Sequence, residues 1–152
     1  MSNLDDLYRE IILDHYRSPR NRGELPSPPA IRTEGFNPLC GDELVVCIEV
    51  SDGVVTNIKI SGQGCSISQA SSSLMSTVVK GKTLEQIDET INTFKQLMTV
   101  HESTLQHGEE PAKVDLRSLG ELAALQGVVN FPVRIKCATL AWNTLRQALD
   151  EA

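Results

Sequence analysis

Aromatic side chains are scarce in this chain of 152 residues: Phe, Trp and Tyr together make up 4% of it. So few rings do not build a stacking platform for nucleobases. Positive charge is also in short supply, with 14 Lys and Arg against 20 Asp and Glu and a formal net charge of -6. A surface with no basic excess has little with which to neutralise phosphates, so nucleic acid is not an expected partner. No apolar run approaches the roughly 18 residues that a membrane span needs. The opening stretch from Met1 to Glu10 carries Asp5, Asp6, Arg9 and Glu10, where a secretory leader would have a basic start and an apolar centre. A soluble, cytosolic protein with no membrane partner is the expectation. Two catalytic signatures are missing as well: no G-x-S-x-G elbow is present, and no C-x-x-C pair of the zinc-finger kind.

What the chain does have is enough length for one sizeable core, so residues 1–152 are expected to form one domain. Asn3 can cap a helix from Leu4 to about Tyr16, with Leu4, Leu7, Ile11 and Ile12 on one face. His15, near its end, suits a polar cap or a hydrogen bond better than a metal. Four prolines between Ser18 and Pro29 then impose a loop. A short strand fits Ile31 to Phe36, with Gly35 and Pro38 ending it. Leu44, Val46, Ile48 and Val50 alternate as a strand, Asp52-Gly53 marks a hairpin turn, and Val54, Thr56, Ile58 and Ile60 supply the inner face of the return.

The spacing of Ile67, Ala70, Leu74 and Val78 predicts a helix that ends at Lys80-Gly81-Lys82. Thr83 and Gln86 form a capping box for another, running toward Val100. The chain turns polar from Gln106 to Lys113, and Leu116, Leu119, Leu122 and Ala123 suggest a short helix. His101 and His107 fall at that boundary and read as solvated loop histidines. Pro132 opens the last helix, with Val133, Cys137, Leu140, Ala141, Leu145 and Ala148 along one side. The expected architecture is α+β: a small antiparallel sheet with helices on one face.

The four cysteines carry the chemical interest, because thiols in a reducing compartment serve metal or redox chemistry more often than disulfides. Cys40 and Asp42 are two apart in an extended segment and point to the same side, while Gly41 between them lets the backbone bend. Cys65 and Cys137 each lie at the start of a predicted helix, where unpaired N–H groups favour a thiolate. Three sulfurs and one oxygen suit a tetrahedral zinc ion. The long separations between them leave separately buried thiols as the competing reading, and Asp42 also suits an ordinary turn. Cys47 falls inside a strand on the face opposite Leu44 and Val46 and reads as packing. Arg134 and Lys136 flank Cys137 and can offset the negative charge of such a site.

Four stretches taken together resemble a known family. They are Leu7-Tyr8-Arg9-Glu10-Ile11-Ile12-Leu13-Asp14-His15-Tyr16 with Pro19-Arg20-Asn21, Asn37-Pro38-Leu39-Cys40-Gly41-Asp42, Gly62-Gln63-Gly64-Cys65-Ser66-Ile67-Ser68, and Arg134-Ile135-Lys136-Cys137-Ala138-Thr139-Leu140. In this order they are similar to the SufU branch of the IscU-like (NifU N-terminal) iron–sulfur assembly family. Scaffold-type members carry a histidine where this chain has Lys136, and they lack an insertion at about 108–130. The resemblance implies Zn2+ on Cys40, Asp42, Cys65 and Cys137, with Cys40 accepting sulfur; Arg134, three residues before Cys137 and on the same helix side, is expected from its spacing to lend electrostatic support. It also implies a persulfide-bearing, PLP-dependent cysteine desulfurase (SufS-like) as donor and a SufBCD-like scaffold complex downstream. The alternative it leaves is a scaffold holding iron or an iron–sulfur cluster on the same residues; a structural zinc module that only binds a partner is the third reading.

Overall fold

The computed structural model describes residues 3–27, 29–38, 40–107 and 120–151. Helix α1 (Asn3–Arg17) leads through the proline-bearing loop into strands β1 (Ile31–Asn37), β2 (Asp42–Ser51) and β3 (Val54–Gln63). Helices α2 (Ser66–Val79) and α3 (Leu84–His107) follow, then a 3-10 segment (Gly120–Asn130) and the last helix, α4 (Pro132–Asp150). The sheet is antiparallel in the order β1-β2-β3. Helix α4 packs on β1 and β2 and α2 packs on β3, which gives the α+β arrangement expected from the sequence. Among the described residues no helix is long and apolar enough to cross a membrane.

The core follows from the residue pattern. Leu44, Val46, Ile48, Ile58 and Ile60 bury the inner face of the sheet against Leu74, Met75, Ala138, Ala141, Trp142 and Leu145 of α2 and α4. Ile87, Ile91, Phe94, Leu97 and Met98 turn α3 inward, and the Phe94 and Trp142 rings stack with centroids 4.5 Å apart. The serines of α2 allow close approach: Ser68, Ser71, Ser72, Ser73 and Ser76 are all buried. Ser71 Oγ donates to Ala138 O (2.6 Å) and accepts from Trp142 Nε1 (3.0 Å), tying α2 to α4.

Several expectations need correction. Strand β1 runs one residue beyond the expected Phe36, to Asn37 just before Pro38, and Gly35 has no part in ending it: that glycine pairs with Leu44 inside the sheet. A Cβ there would collide with Thr144 Oγ1 of α4, so the glycine marks a close helix–strand approach and not a break. Val55, not Thr56, faces the core, because the pairing slips after Glu49↔Asn57 to Val50↔Val55 and leaves Thr56 bulged and exposed. Helix α3 continues past Val100 to His107, placing His101 and His107 on helical backbone; their side chains lie outside the described residues. Leu122 and Ala123 are buried in a tight 3-10 segment that begins at Gly120, whereas Leu116 and Leu119 lie outside the described residues. Val133 is 64% exposed and does not join the inner face of α4.

His15 is buried, as its polar surroundings require: Nδ1 is 2.8 Å from Ser73 Oγ and Nε2 is 3.0 Å from Glu121 Oε2. It joins α1, α2 and the 3-10 segment, and does not approach the cysteines.

Candidate metal centre

The site is assembled from three chain segments whose local structure fixes their directions. The β1–β2 connection is a four-residue loop, since Asn37 pairs with Asp42 as the last rung of the ladder. Cys40 therefore sits on the loop and Asp42 is the first residue of β2. Gly41 between them has φ 68 and no neighbour within 4 Å of where a Cβ would be, so the turn is free of packing on that side. Positive φ strains any residue with a Cβ, so glycine is the residue that suits this position between Cys40 and Asp42.

Cys65 is the N-cap of α2, its sulfur accepting from Ser68 N at 3.4 Å. Cys137 lies on the second turn of α4, fully buried. Gly64 lets the β3–α2 loop press against Asp42: an added Cβ would sit 2.5 Å from Asp42 Oδ1. Through that approach Cys65 N donates to Asp42 Oδ1 at 2.9 Å, and Asn37 Nδ2 donates to Asp42 Oδ2 at 3.3 Å. The carboxylate is wholly buried and is held by these two N–H donors and by a hydrogen bond with the Cys137 thiol. A metal ion that displaced the thiol proton would take up that third contact.

The ligand atoms of Cys40, Asp42 and Cys137 all lie within 4.8 Å of one another. Cys40 and Cys137 Sγ are 3.1 Å apart, and both are free thiols. That separation is well beyond a disulfide bond of about 2.05 Å. Two sulfurs bonded at about 2.3 Å to one tetrahedral zinc would stand about 3.8 Å apart, so the pair would open by roughly 0.7 Å to take an ion. Cys65 is placed beside this trio and not within it; its sulfur caps α2 and touches Cys137. Cys47, also expected to stand apart, is buried within the sheet between its cross-strand neighbours Arg32 and Lys59, whose long stems suit covering it.

Electrostatics make the grouping chemically pointed. Burial first, then contact with Cys40, Asp42 and Cys65 and the charge of Cys65, push the Cys137 thiol well above its ordinary value. Cys40, Asp42 and Cys137 converge with Asp42 and Cys137 buried, so the thiols there either keep their protons or have their charge balanced by a cation. Arg134 supplies one from the rim: its guanidinium is held above its ordinary value by a hydrogen bond to Cys137 and by the charges of Cys65, Cys137 and Cys40. Lys136 does not share that task. It is exposed on a shallow cavity with Pro38 and Asn143, so of the two flanking cations one faces the sulfurs. A buried donor set of soft sulfur and one carboxylate matches a zinc-type ion in chemistry.

Asn37 is the member of the site that sequence reasoning passes over. Besides holding Asp42, its Nδ2 lies 3.7 Å from Cys137 Sγ, linking the loop to α4. The available signal is its position, five residues before Asp42 and opposite it across the loop.

A profile of the NifU-like N terminal domain matches residues 7–138. Zinc-dependent sulfurtransferase SufU of Bacillus subtilis is 40% identical over 148 residues, covering 97% of this chain and 92% of that protein. The iron-sulfur cluster assembly scaffold protein IscU of Streptococcus pyogenes is 36% identical over 152 residues, covering 100% of this chain and 88% of its own length. Among solved structures, a protein from Fervidobacterium islandicum assigned as an iron-sulfur cluster assembly scaffold for the SUF system superposes with a TM-score of 0.79 at 30% identity, covering 92% of this chain and 94% of that one. With a family profile spanning most of its length and relatives of this identity over nearly all of it, the chain belongs to the NifU-like N-terminal domain family.

Proposed function

We propose that the chain is a zinc-dependent sulfur carrier for iron–sulfur cluster biogenesis, receiving sulfur from a PLP-dependent cysteine desulfurase on Cys40 and passing it to a downstream scaffold. Cys40, Asp42, Cys65 and Cys137 would hold the ion. When bound, zinc supplies the charge that keeps the thiols deprotonated at neutral pH. The observation that carries the reading is the convergence of Cys40, Asp42 and Cys137 from a loop, a strand and a helix, their ligand atoms within 4.8 Å of one another, with Cys40 the one of the three on the loop and half-exposed.

The residues divide the work by their surroundings. Asp42 and Cys137 are buried and fixed, which suits permanent ligands. Cys40 is half-exposed on its loop beside Gly41, which suits a group that must reach a partner. Its thiolate attacks the outer sulfur of the donor's Cys–S–SH. The S–S bond breaks, the donor leaves as a thiolate, and Cys40 becomes Cys–S–SH with the proton kept on the transferred sulfur. Three thiolates and a carboxylate around a divalent ion leave a net charge of -2, and Arg134 stands at the place to offset it and to favour the thiolate at Cys40.

A scaffold role on the same residues is the second reading, favoured by the IscU relative; Lys136, standing where scaffold-type members carry histidine, weighs against it. Metal analysis with visible absorbance, beside alanine formation by a cysteine desulfurase, tests the choice. The carrier reading expects about one zinc per chain, no cluster absorbance, and stimulation that disappears in a folded Cys40→Ala protein. Stimulation retained by Cys40→Ala would overturn it, and visible absorbance with bound iron would move the assignment to a scaffold. A Cys40→Ala chain that cannot fold would instead mark the ion as structural.

A further inference from the structure

A groove of about 630 Å³ opens between α1, the start of α2, the 3-10 segment and the start of α4. It adjoins the metal centre: Ile67, two residues after Cys65, and Arg134, which bonds Cys137, both line it. Ile12 and Leu13 of α1 and Ala124 and Val128 of the 3-10 segment supply apolar lining, and Phe131 lines it while 64% exposed. Charge along it is one-sided. Arg9 and Arg134 line it, and no acid does so among the described residues, in a chain whose net charge is -6. An apolar trough carrying two guanidinium groups on an otherwise acidic protein is complementary to an aliphatic segment bearing carboxylates.

We propose that this groove seats an acidic, aliphatic segment of the sulfur-donating cysteine desulfurase and so directs the donor's persulfide to Cys40; the partner's identity rests on the carrier reading above. Aliphatic side chains of that segment fill the space between Leu13 and Val128, Phe131 closes over them, and its carboxylates pair with Arg9 and with the outer face of Arg134. An exposed Phe next to an apolar trough is the kind of anchor that becomes buried only in a complex.

The test is titration of the full chain, zinc-loaded, against a PLP-dependent cysteine desulfurase by calorimetry, with alanine formation followed in parallel. Arg9→Glu and Leu13→Glu act on α1, and Phe131→Ala acts on the other wall; none is a proposed metal ligand. Each is expected to raise Kd on the order of tenfold. Zinc content and melting temperature should stay at wild-type values, and alanine formation should recover at saturating concentration. Wild-type binding should also weaken as salt rises. Unchanged Kd in all three folded variants overturns the groove as the docking site, and so does the absence of wild-type binding. Wild-type binding without stimulated alanine formation sinks the carrier reading alone, because the Kd series still decides whether the groove is used.

Discussion

Replacing Gly64 by alanine removes no ligand, no charge and no hydrogen-bonding side chain, yet it should weaken metal binding. The new Cβ would stand 2.5 Å from Asp42 Oδ1, about 0.9 Å inside the 3.4 Å at which ordinary contact starts. Neither partner can yield cheaply. Asp42 is pinned by the Asn37 rung and by its own burial, and the Gly64 backbone is pinned by the following N-cap. A displacement of that size stretches the Cys65 N to Asp42 Oδ1 hydrogen bond from 2.9 Å to beyond bonding distance. A hydrogen bond to a charged group contributes about 1.5–3 kcal/mol, and each 1.4 kcal/mol is about tenfold in affinity. Zinc affinity of Gly64→Ala should therefore fall roughly 10- to 100-fold, the range found when groups behind a metal ligand are changed. Competition with a chromophoric chelator at fixed pH measures it, with far-UV circular dichroism as the control for folding. Affinity within twofold of wild type would refute the claim that the carboxylate is aimed by this contact.

Other perturbations separate the remaining contributions. Asn37→Leu should also weaken zinc binding, by on the order of tenfold, because both the Asp42 and Cys137 contacts are lost; chelator competition reads it. Zinc affinity should rise with pH, since ion binding displaces the proton of Cys137, whose thiol is held above its ordinary value by burial and by its neighbours. Without added zinc the sign reverses for folding. The folded chain keeps that proton longer than the unfolded one, so this contribution is complete below the ordinary thiol value of 9.0 and is lost as pH climbs past it toward the raised folded value; denaturant titrations in the presence of chelator show it. Arg134→Ala should lower the sulfur-transfer rate while leaving zinc content unchanged, with partial rescue by Arg134→Lys, because the guanidinium touches Cys137 and faces three sulfurs from the rim. Trp142→Phe should lower stability by about 1 kcal/mol through the lost Ser71 bond, and Trp142→Ala by about 3–5 kcal/mol, both read by thermal or urea unfolding.

The elements that were legible in the sequence are those whose signals are local. The Asp52-Gly53 turn joins β2 to β3, and the Thr83–Gln86 capping box is present in both directions, at 3.0 and 3.1 Å. Cys65 was placed at a helix start by the break at Gly62 to Gly64 and the periodic run that follows, and it is the N-cap. What the sequence hid depends on contacts far along the chain. Gly35 looks like a strand breaker unless one knows that Thr144 of α4 presses on it. The inward face of β3 is misassigned by simple alternation because Thr56 bulges, bonding through Oγ1 to Glu49 O at 3.2 Å. Cysteine count and order suggest a shared site, and helical spacing favours Arg134, three residues before Cys137, over Lys136 as the cation beside it, which agrees with the bond from Arg134 to Cys137.

Asp42 shows why site and fold are hard to separate in this protein. Its backbone is the last rung of the β1–β2 ladder, its carboxylate receives the N–H that begins α2, and the same carboxylate lies within 4.8 Å of the sulfurs of Cys40 and Cys137. A buried carboxylate in that position stabilises the fold only when its charge is answered, so the sheet and the α2 N-terminus are coupled to whatever cation the site holds. Cys40 is less tied to that coupling because it lies on the β1–β2 loop, half-exposed, beside a glycine with open space on its Cβ side. The geometry thus divides one donor set into a rigid part, whose loss should be felt by the whole domain, and one loop sulfur, whose loss should be felt by chemistry first. Chelation should consequently lower the melting temperature of the wild type by more than Cys40→Ala lowers that of the zinc-loaded chain, an ordering that a purely structural ion, dependent on all four ligands alike, does not produce.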